Sequence, residues 1–314
     1  HGFRFPLLSE RGSENRRDRK RNRIFIYFCS ILQAVEVKRL MNAAGAAGRP
    51  FLFGVDYECT KGFFYENPFQ VQDVLWQVGK SSNARAPEAP VHSFSFVRYP
   101  PAYEDYERKF QRVRQGLMRG DSFLLNLTVA TEIRTTLSLA DIFRFSRAPY
   151  RLLIPERLVC FSPETFVRIQ EGKIASYPMK GTINATVPHA EKTILEDYKE
   201  KAEHYTIVDL IRNDLGCVAD DTRVERFQYI DRLETTNGEI LQVSSEISGK
   251  LSSDYPSRIG DIVFHMLPAG SISGAPKEAT VRIIAGAEKI KRGFYTGIFG
   301  YFDGKDLDSA VMIR

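Results

Sequence analysis

The stretch Ser162–Thr182 constrains the fold more than any other because it has the pattern of a β-hairpin. Residues 165–169 and 173–177 are rich in β-branched and aromatic residues, and the segment 170–172 between them ends in glycine. This pattern predicts a three-residue loop with Gly172 in the left-handed conformation, so that residue 169 faces residue 173. Glu164 then faces Pro178, which puts Glu164 and Lys180 on one face as diagonal neighbours, with Cβ atoms roughly 7–8 Å apart.

An acid and an amine at that separation leave room for a small ring between them. A simple surface ion pair would instead bring the two side chains into direct contact. The alternative interpretation is a solvated glutamate and lysine at a sheet edge, and the hairpin alone does not decide between the two.

Composition places the chain among globular proteins. Its 314 residues are 43% hydrophobic and 26% charged, enough for one large domain or two ordinary ones. Residues 1–40 hold ten basic and four acidic residues, a net charge of +6, so residues 41–314 carry a net charge of −1. This nearly neutral body does not favour a nucleic-acid partner.

The cysteine pattern favours a cytoplasmic protein. The four cysteines are scattered without CxxC spacing, which indicates neither a zinc site nor a disulfide framework. The longest apolar run, residues 24–32, is too short to cross a membrane, so we predict no membrane partner.

The composition of the first 40 residues differs from that of the rest of the chain. No methionine precedes Met41, and the basic composition gives way there to an alanine- and glycine-rich segment. We therefore predict that residues 1–40 are a non-native or disordered basic extension and that residues 41–314 form a single domain.

Hydrophobic periodicity predicts four helices, over residues 103–119, 139–145, 190–214 and 276–287. Strands are predicted over residues 51–57, 62–65, 91–97, 122–128, 151–161, 238–251 and 293–302. Together these elements predict a mixture of helices and strands.

A glycine-rich segment, Gly270-Ser-Ile-Ser-Gly-Ala-Pro-Lys277, runs directly into the last predicted helix. Free N–H groups at a helix N-terminus favour anions, so this segment is a candidate anion site. It lacks the spacing of a nucleotide-binding loop, and a purely structural cap is the alternative.

Four motifs in a fixed order resemble those of the chorismate-utilising enzymes. They are Ser162-Pro-Glu164, Pro178-Met-Lys-Gly-Thr182, Glu203-His-Tyr-Thr-Ile-Val-Asp-Leu-Ile-Arg-Asn-Asp214 and Pro268-Ala-Gly-Ser-Ile-Ser-Gly-Ala-Pro-Lys277. The resemblance covers roughly residues 100–314, and the region from Met41 is similar to a shortened form of the family's N-terminal portion. It implies an α+β fold of two large, mainly antiparallel sheets flanked by helices.

Lys180 makes the second motif similar to that of the aminodeoxychorismate synthases, since anthranilate synthases usually carry alanine there. The resemblance implies that Lys180 attacks C2 of chorismate as the C4 hydroxyl leaves, and that Glu164 is the general acid and base. Ammonia then adds at C4 and the lysine leaves, giving 4-amino-4-deoxychorismate for p-aminobenzoate and folate synthesis. Anthranilate synthase and isochorismate or salicylate synthase chemistry on the same fold are the alternatives.

The resemblance also implies which residues bind the substrate and the metal ion. Substrate-binding residues are expected at Gly181, Thr182, Gly270, Ser271, Ser273 and Gly274. Glu203 is expected to bind Mg²⁺, which neutralises the chorismate carboxylate. Asp209 and Asp214 are interpreted as supporting or helix-terminal groups.

Two departures from the family pattern matter. Gln242 stands where the family usually has a histidine, and an amide cannot transfer a proton. The family also continues beyond the position of Arg314 into a strand and a helix with further magnesium-binding glutamates. We therefore expect a C-terminally truncated chain, and an inactive fragment that only binds a glutaminase subunit is a further alternative.

The source of ammonia is inferred from the sequence as given. It contains no Gly-x-Cys-x-Gly glutaminase motif with a partner histidine. The family resemblance therefore implies a separate glutamine amidotransferase subunit as the partner that supplies ammonia.

Overall fold

The computed structural model describes residues 31–89, 93–235 and 238–313. Within these ranges the helices are α1 (Ala34–Ala46), α2 (Tyr103–Met118), α3 (Leu139–Phe145), α4 (Ala190–Glu196), α5 (Tyr198–Gly216), α6 (Ile259–His265), α7 (Gly270–Ser273) and α8 (Lys277–Glu288). The first nine strands are β1 (Leu32–Gln33), β2 (Phe51–Val55), β3 (Lys61–Glu66), β4 (Leu75–Val78), β5 (Ser81–Ser82), β6 (Phe96–Tyr99), β7 (Leu124–Leu125), β8 (Glu132–Thr135) and β9 (Tyr150–Ile154). The others are β10 (Leu158–Ser162), β11 (Thr165–Gln170), β12 (Lys173–Ser176), β13 (Met179–Asn184), β14 (Asp220–Thr235), β15 (Gly238–Lys250), β16 (Gly274–Ala275), β17 (Ile298–Phe302) and β18 (Leu307–Val311).

The main sheet has ten antiparallel strands in the order β1-β3-β2-β17-β18-β11-β12-β15-β13, with β14 also paired to β15. Strand β15 is 13 residues long and has three partners. Its C-terminal half pairs with β12, its N-terminal half pairs with β13, and β14 runs along it from Gly238 to Lys250. One strand therefore fixes the relative positions of the hairpin, of β13 and of the long strand β14.

A second sheet of four strands, in the order β10-β9-β4-β5, packs against the main sheet. The pairs β16–β7 and β6–β8 form two further small sheets, and all of these pairings are antiparallel. The α+β class with mainly antiparallel sheets is therefore confirmed, with one sheet much larger than the other.

Alternation along the central strands divides the core into two layers. Phe51 and Phe53 of β2 face helices α1 and α6, whereas Leu52 between them faces the four-stranded sheet. In β17, Ile298 lies in the first layer and Phe299 in the second. The centre of the main sheet is therefore buried on both faces.

The hairpin formed by β11 and β12 differs from the sequence prediction by its register. Gln170 pairs with Lys173, and Ile169 pairs with Ile174 rather than with residue 173. The loop thus has two residues, Glu171 and Gly172, with φ values of 53° and 79°. Two left-handed residues in succession form the turn that matches strand twist, and the prediction was wrong because it assigned only Gly172 to that conformation.

The helix predicted over residues 190–214 is two helices. The chain breaks at Asp197, which has extended backbone angles and accepts the N–H of Glu200 through its side chain at 2.9 Å. This N-cap begins α5 anew, which periodicity alone did not reveal.

The other three predicted helices are confirmed within one residue at each end, as α2, α3 and α8. The strand predicted over residues 122–128 is reduced to β7. The strand predicted over residues 91–97 begins only at Phe96, and residues 90–92 lie outside the described ranges.

The packed region extends N-terminal to the predicted boundary at Met41. Helix α1 begins at Ala34, and Ala34, Val37 and Met41 are all buried in the core between α1 and the main sheet. Residues 1–30 of the predicted extension lie outside the described ranges. In the part of the chain that is described, no helix is both long and apolar enough to cross a membrane.

The hairpin turn generates a stability prediction. We expect Gly172→Ala to lower the free energy of unfolding by about 1–2 kcal/mol, because an L-residue is strained in the left-handed region. Gly216→Ala is the matched control, since it lies at the end of α5 and an added Cβ would meet its nearest neighbour, Thr222 Oγ1, only at 4.0 Å. We expect this control to be neutral or slightly stabilising in urea denaturation. Equal effects of the two substitutions would contradict the left-handed assignment.

Candidate active site

Glu164 lies at the wall of a small cavity of about 10 Å³, room for about one water molecule, between the main sheet and the helices. Its Oε1 accepts a hydrogen bond of 2.5 Å from Ser271 Oγ, and its own N–H bonds to the buried Ser162 Oγ at 3.1 Å. The cavity is also lined by Pro178, by Ile211 and Asp214 of α5, and by Gly270. The acid therefore has a fixed backbone and a fixed side-chain donor beside an open space.

Lys180 lies on β13 opposite Val243 of β15. The ladder shifts by one residue directly after it, because Gly181 is an extra, unpaired residue with φ of 83°. This is a β-bulge with glycine in the left-handed position. Lys180 is half-buried, and its side-chain ammonium makes no hydrogen bond or ion pair within the described ranges.

Lys180 and the cavity lie on the same face of the main sheet. Cross-strand partners share a face, so Lys180 lies on the side of Val243 and of Ser245, two residues further along β15. Ser245 contacts His204 of α5, and Ile211 of the same helix lines the Glu164 cavity. Ile211 is seven positions after His204, about 10 Å along the helix.

Glu164 and Lys180 share a face, but the hairpin ladder from which this was predicted does not extend to Glu164. The pairing of β11 with β12 reaches only Arg168 and Ala175, so Glu164 is not held opposite Pro178 by this ladder. Lys180 itself does not line the cavity, whereas Ser176 and Pro178, just before it in the chain, do.

His204 is a buried histidine that sequence analysis did not place in the site. Its side chain is 1% exposed, its Nε2 lies 2.7 Å from Ser245 Oγ, and its Nδ1 has no hydrogen-bond partner among the described residues. Burial, together with the nearby charge of Lys180, lowers the pKa of His204 to about 4. The imidazole is therefore neutral at physiological pH, and the only sequence signal for it was its position next to Glu203.

Glu200 of α5 lies beside the bulge, and Glu203 of the same helix shares an ion-pair partner with it. Lys199 contacts Glu203 at 3.2 Å and Glu200 at 3.5 Å, which brings these carboxylates close together. A Cβ on Gly181 would lie 3.3 Å from Glu200 Oε2, so the bulge leaves a space that a side chain would fill.

A magnesium site here would need ligands from outside the described chain. Among the described residues, no cluster of three or more histidine, cysteine, aspartate or glutamate side chains could hold a metal ion. Mg²⁺ commonly takes only one or two protein carboxylates, with waters and substrate oxygens as its other ligands. Glu203 and Glu200 could supply that number, and in this structure both are paired with Lys199.

Asp214 and Lys277 form an ion pair of 2.6 Å at the edge of the cavity, and Lys277 also donates to the Met266 carbonyl at 3.0 Å. Burial raises the pKa of Asp214, and the Lys277 ammonium opposes that shift. Lys277 joins the start of α8 to the end of α5, an arrangement that supports the earlier interpretation of Asp214 as a supporting group.

The glycine-rich segment folds as α7 and β16, and its residues have different surroundings. Gly270 and Ser271 line the cavity. Ser273 is fully buried and donates to the Ala269 carbonyl, and Gly274 pairs with Leu125 so closely that a Cβ would meet the Leu124 oxygen at 1.9 Å. Thr182 is exposed on β13, beyond the bulge, and Gln242 pairs with it.

Comparison with known proteins identifies the family to which the chain is similar. The chain matches the family model described as chorismate binding enzyme over residues 52–314. It is 50% identical over 275 residues to an uncharacterized PabA-like protein of Haemophilus influenzae, covering 87% of this chain and 83% of that protein. It is 32% identical over 232 residues to anthranilate synthase component 1 of Mycolicibacterium smegmatis, covering 67% of this chain and 43% of that protein. The fold is similar to that of the menaquinone-specific isochorismate synthase of Escherichia coli, with a TM-score of 0.62 at 13% identity, over 91% of this chain and 74% of that one.

The buried histidine generates a pH prediction. The pKa of His204 is about 4 in the folded state and close to 6.5 when unfolded, so the unfolded state binds more protons between these values. His204 therefore does not lower the free energy of unfolding above pH 6.5, but its protonation in the unfolded state lowers that free energy by roughly 2–3 kcal/mol as the pH falls to 4. We expect His204→Gln to flatten this decline in urea denaturation, and His189→Asn, at an exposed histidine, to leave it unchanged. An unaltered slope in His204→Gln would contradict the assignment.

Proposed function

The chain belongs to the chorismate-binding enzyme family, and from this premise we propose that it aminates chorismate at C4 to give 4-amino-4-deoxychorismate. The observation that carries the proposal is Lys180, a half-buried lysine at a β-bulge with no hydrogen-bond or ion-pair partner in the described part of the chain. A lysine that is not tied up in an ion pair has its amine free to reach a substrate, as a nucleophile must. The similarity to a relative named PabA-like supports the same chemistry.

The proposed reaction divides the work between two side chains. The neutral amine of Lys180 forms a bond to C2 of chorismate, both conjugated ring double bonds shift, and the C4 hydroxyl leaves as water after taking a proton from Glu164. Ammonia then bonds to C4, the two double bonds shift back, and the bond between Lys180 and C2 breaks, which restores the lysine amine. Glu164 recovers its proton from the new C4 ammonium, so chorismate and ammonia become the amine and water.

The geometry around Glu164 supports its role. Ser271 donates to one carboxylate oxygen, and the cavity beside the carboxyl group is bounded by Ile211 and Asp214 of α5 and by Met266 and Ala269 before α7. A general acid needs both a fixed position and space for the leaving group. Gly270 and Ser271 enclose that space, and Gly181 and Thr182 lie beside Lys180 as proposed substrate contacts.

Mg²⁺ would be held by Glu203, with Glu200 beside it, and would neutralise a substrate carboxylate. Ammonia would come from a separate glutamine amidotransferase subunit, and the protein would work in the cytoplasm. These parts of the proposal rest on the resemblance to the family and on the pair of carboxylates next to the bulge.

The nucleophile is tested by substitution at Lys180 in the full-length protein. With chorismate, Mg²⁺ and ammonium salts, we expect the 4-amino product by NMR, and a loss of at least about 1000-fold in kcat for Lys180→Ala because the covalent route is removed. Without ammonia, intact-protein mass spectrometry should detect an adduct of chorismate minus water on the unsubstituted protein only. Lys173→Ala, which removes an exposed lysine of the neighbouring strand, is the matched control and should remain active.

Three results would reject this assignment. They are a 2-amino product, a hydroxylated product without ammonia, and full activity of Lys180→Ala. The first two would favour anthranilate or isochorismate chemistry on the same fold.

The metal ligand is tested separately. We expect Glu203→Gln to raise the Mg²⁺ concentration for half-maximal activity by at least about 10-fold, since one ligand charge is lost. Glu196→Gln, an exposed acid at the end of α4, is the control and should leave the Mg²⁺ dependence unchanged. The same Mg²⁺ dependence in both variants would remove Glu203 from the metal site.

A further inference from the structure

Behind the glycine-rich segment lies a buried ion pair that the proposed reaction does not use. Arg292 Nη2 contacts Glu288 Oε1 at 2.6 Å, and Arg292 Nε contacts Oε2 at 2.9 Å. The two side chains are only 2% and 1% exposed. A buried pair of this kind is costly unless its other donors and acceptors are also satisfied.

Apart from a long bond of 3.5 Å from Arg292 Nη1 to Thr296 Oγ1, the other hydrogen bonds of the pair go to the segments that surround the candidate site. Arg292 Nη1 donates to the Ile272 carbonyl at 3.3 Å, and Nη2 donates to the Asn126 carbonyl at 2.7 Å. Glu288 Oε1 accepts both the N–H of Thr128 at 2.8 Å and its hydroxyl at 3.1 Å. The ion pair therefore ties α7 to the chain after β7.

Asn126 completes this support. Its Nδ2 donates to the Ser271 carbonyl at 3.0 Å, and its N–H donates to the Ser273 carbonyl at 3.1 Å. The carbonyls of residues 271, 272 and 273 are thus all held from behind, two by Asn126 and one by Arg292. The Ser271 hydroxyl on the other side of this segment donates to Glu164.

Arg292 is itself fixed from a third direction. Glu58 accepts the N–H groups of Arg292 and Gly293 at 2.7 and 3.0 Å, and the guanidinium lies 4.5 Å from the centre of the Tyr57 ring. Its backbone and its side chain are both immobilised, so the positions of its donors are set before substrate binds.

We propose that Arg292 is a positioning residue for the reaction: it fixes the α7 backbone, directly and through Asn126, so that the Ser271 hydroxyl is held on Glu164. The inference rests on the proposed function, in which Glu164 exchanges protons with substrate. An error of about 1 Å in the position of a reacting group can cost up to 100-fold in rate, so a buried support of this kind affects kcat.

The test is a double-mutant cycle in the full-length protein, with Arg292→Lys, Ser271→Ala and the double variant. Lysine keeps the positive charge beside Glu288 but lacks the planar fork that reaches two carbonyls. We expect each single variant to lose about 10-fold in kcat, with the KM for chorismate changed less than 2-fold, because a hydrogen bond to a charged group is lost. The kcat of the double variant should be no lower than that of the less active single variant, since both changes remove the same interaction.

The controls separate positioning from general destabilisation. Lys291→Ala removes the neighbouring exposed cation and should leave kcat unchanged. Asn126→Ala removes the bond to the Ser271 carbonyl without touching the ion pair, and it replaces Arg292→Lys in the cycle if that variant does not fold. Urea denaturation of every variant confirms the folded state at the assay temperature.

The outcomes distinguish this inference from the proposed function. Independent, multiplicative losses in the double variant, or a normal kcat in folded Arg292→Lys and Asn126→Ala, would overturn the positioning role alone. Full activity of Glu164→Gln would instead reject the proposed acid and base, whatever the cycle shows.

Discussion

The pairing of β15 with three other strands is the constraint on which the site depends. It holds β12, β13 and β14 in one sheet, and the side chains of its central residues alternate between the two faces. Lys180 is opposite Val243, and Ser245 on the same face contacts the buried His204 of α5. A shift of β15 by one residue would exchange the faces and separate the lysine from the helix that carries both His204 and the cavity wall.

Backbone support extends from this sheet to the segment on the other side of the cavity. Glu164 leaves the sheet just before β11 and receives its hydrogen bond from Ser271 of α7. That segment is held by Asn126, Arg292 and Glu288, which come from two distant parts of the chain. The acid and the lysine thus lie on one face, but each is supported by a different set of contacts.

Local sequence patterns predicted much of the fold and less of the site. Helices α2, α3 and α8 followed from periodicity, because each is amphipathic or has clear end signals, whereas the α+β class was implied by the family resemblance. The hairpin register failed because a glutamate in the left-handed region has no clear sequence signature. The break at Asp197 was missed because the apolar stripe continues across it.

The candidate site was also only partly predictable from local sequence patterns. The motifs singled out Glu164, Lys180, Ser271 and Glu203, but contacts between distant segments cannot be read from spacing. His204 meets Ser245 across 41 positions, and Asn126 meets Ser271 across 145. Such contacts arise from sheet order and helix packing, and only the folded chain reveals that Ser273 and Gly274 face the backbone of their neighbours.

The bulge at Gly181 has a consequence for how the chemistry of this fold can change. The strand at Lys180 is held by backbone pairing to β15, and the lysine side chain has no hydrogen bond or ion pair with the rest of the described chain. The side chain at this position can therefore be exchanged without disturbing the sheet, the cavity or the carboxylates of α5. In the proposed reaction Lys180 is the nucleophile, so a substitution at this one position would remove that route while the scaffold stays the same.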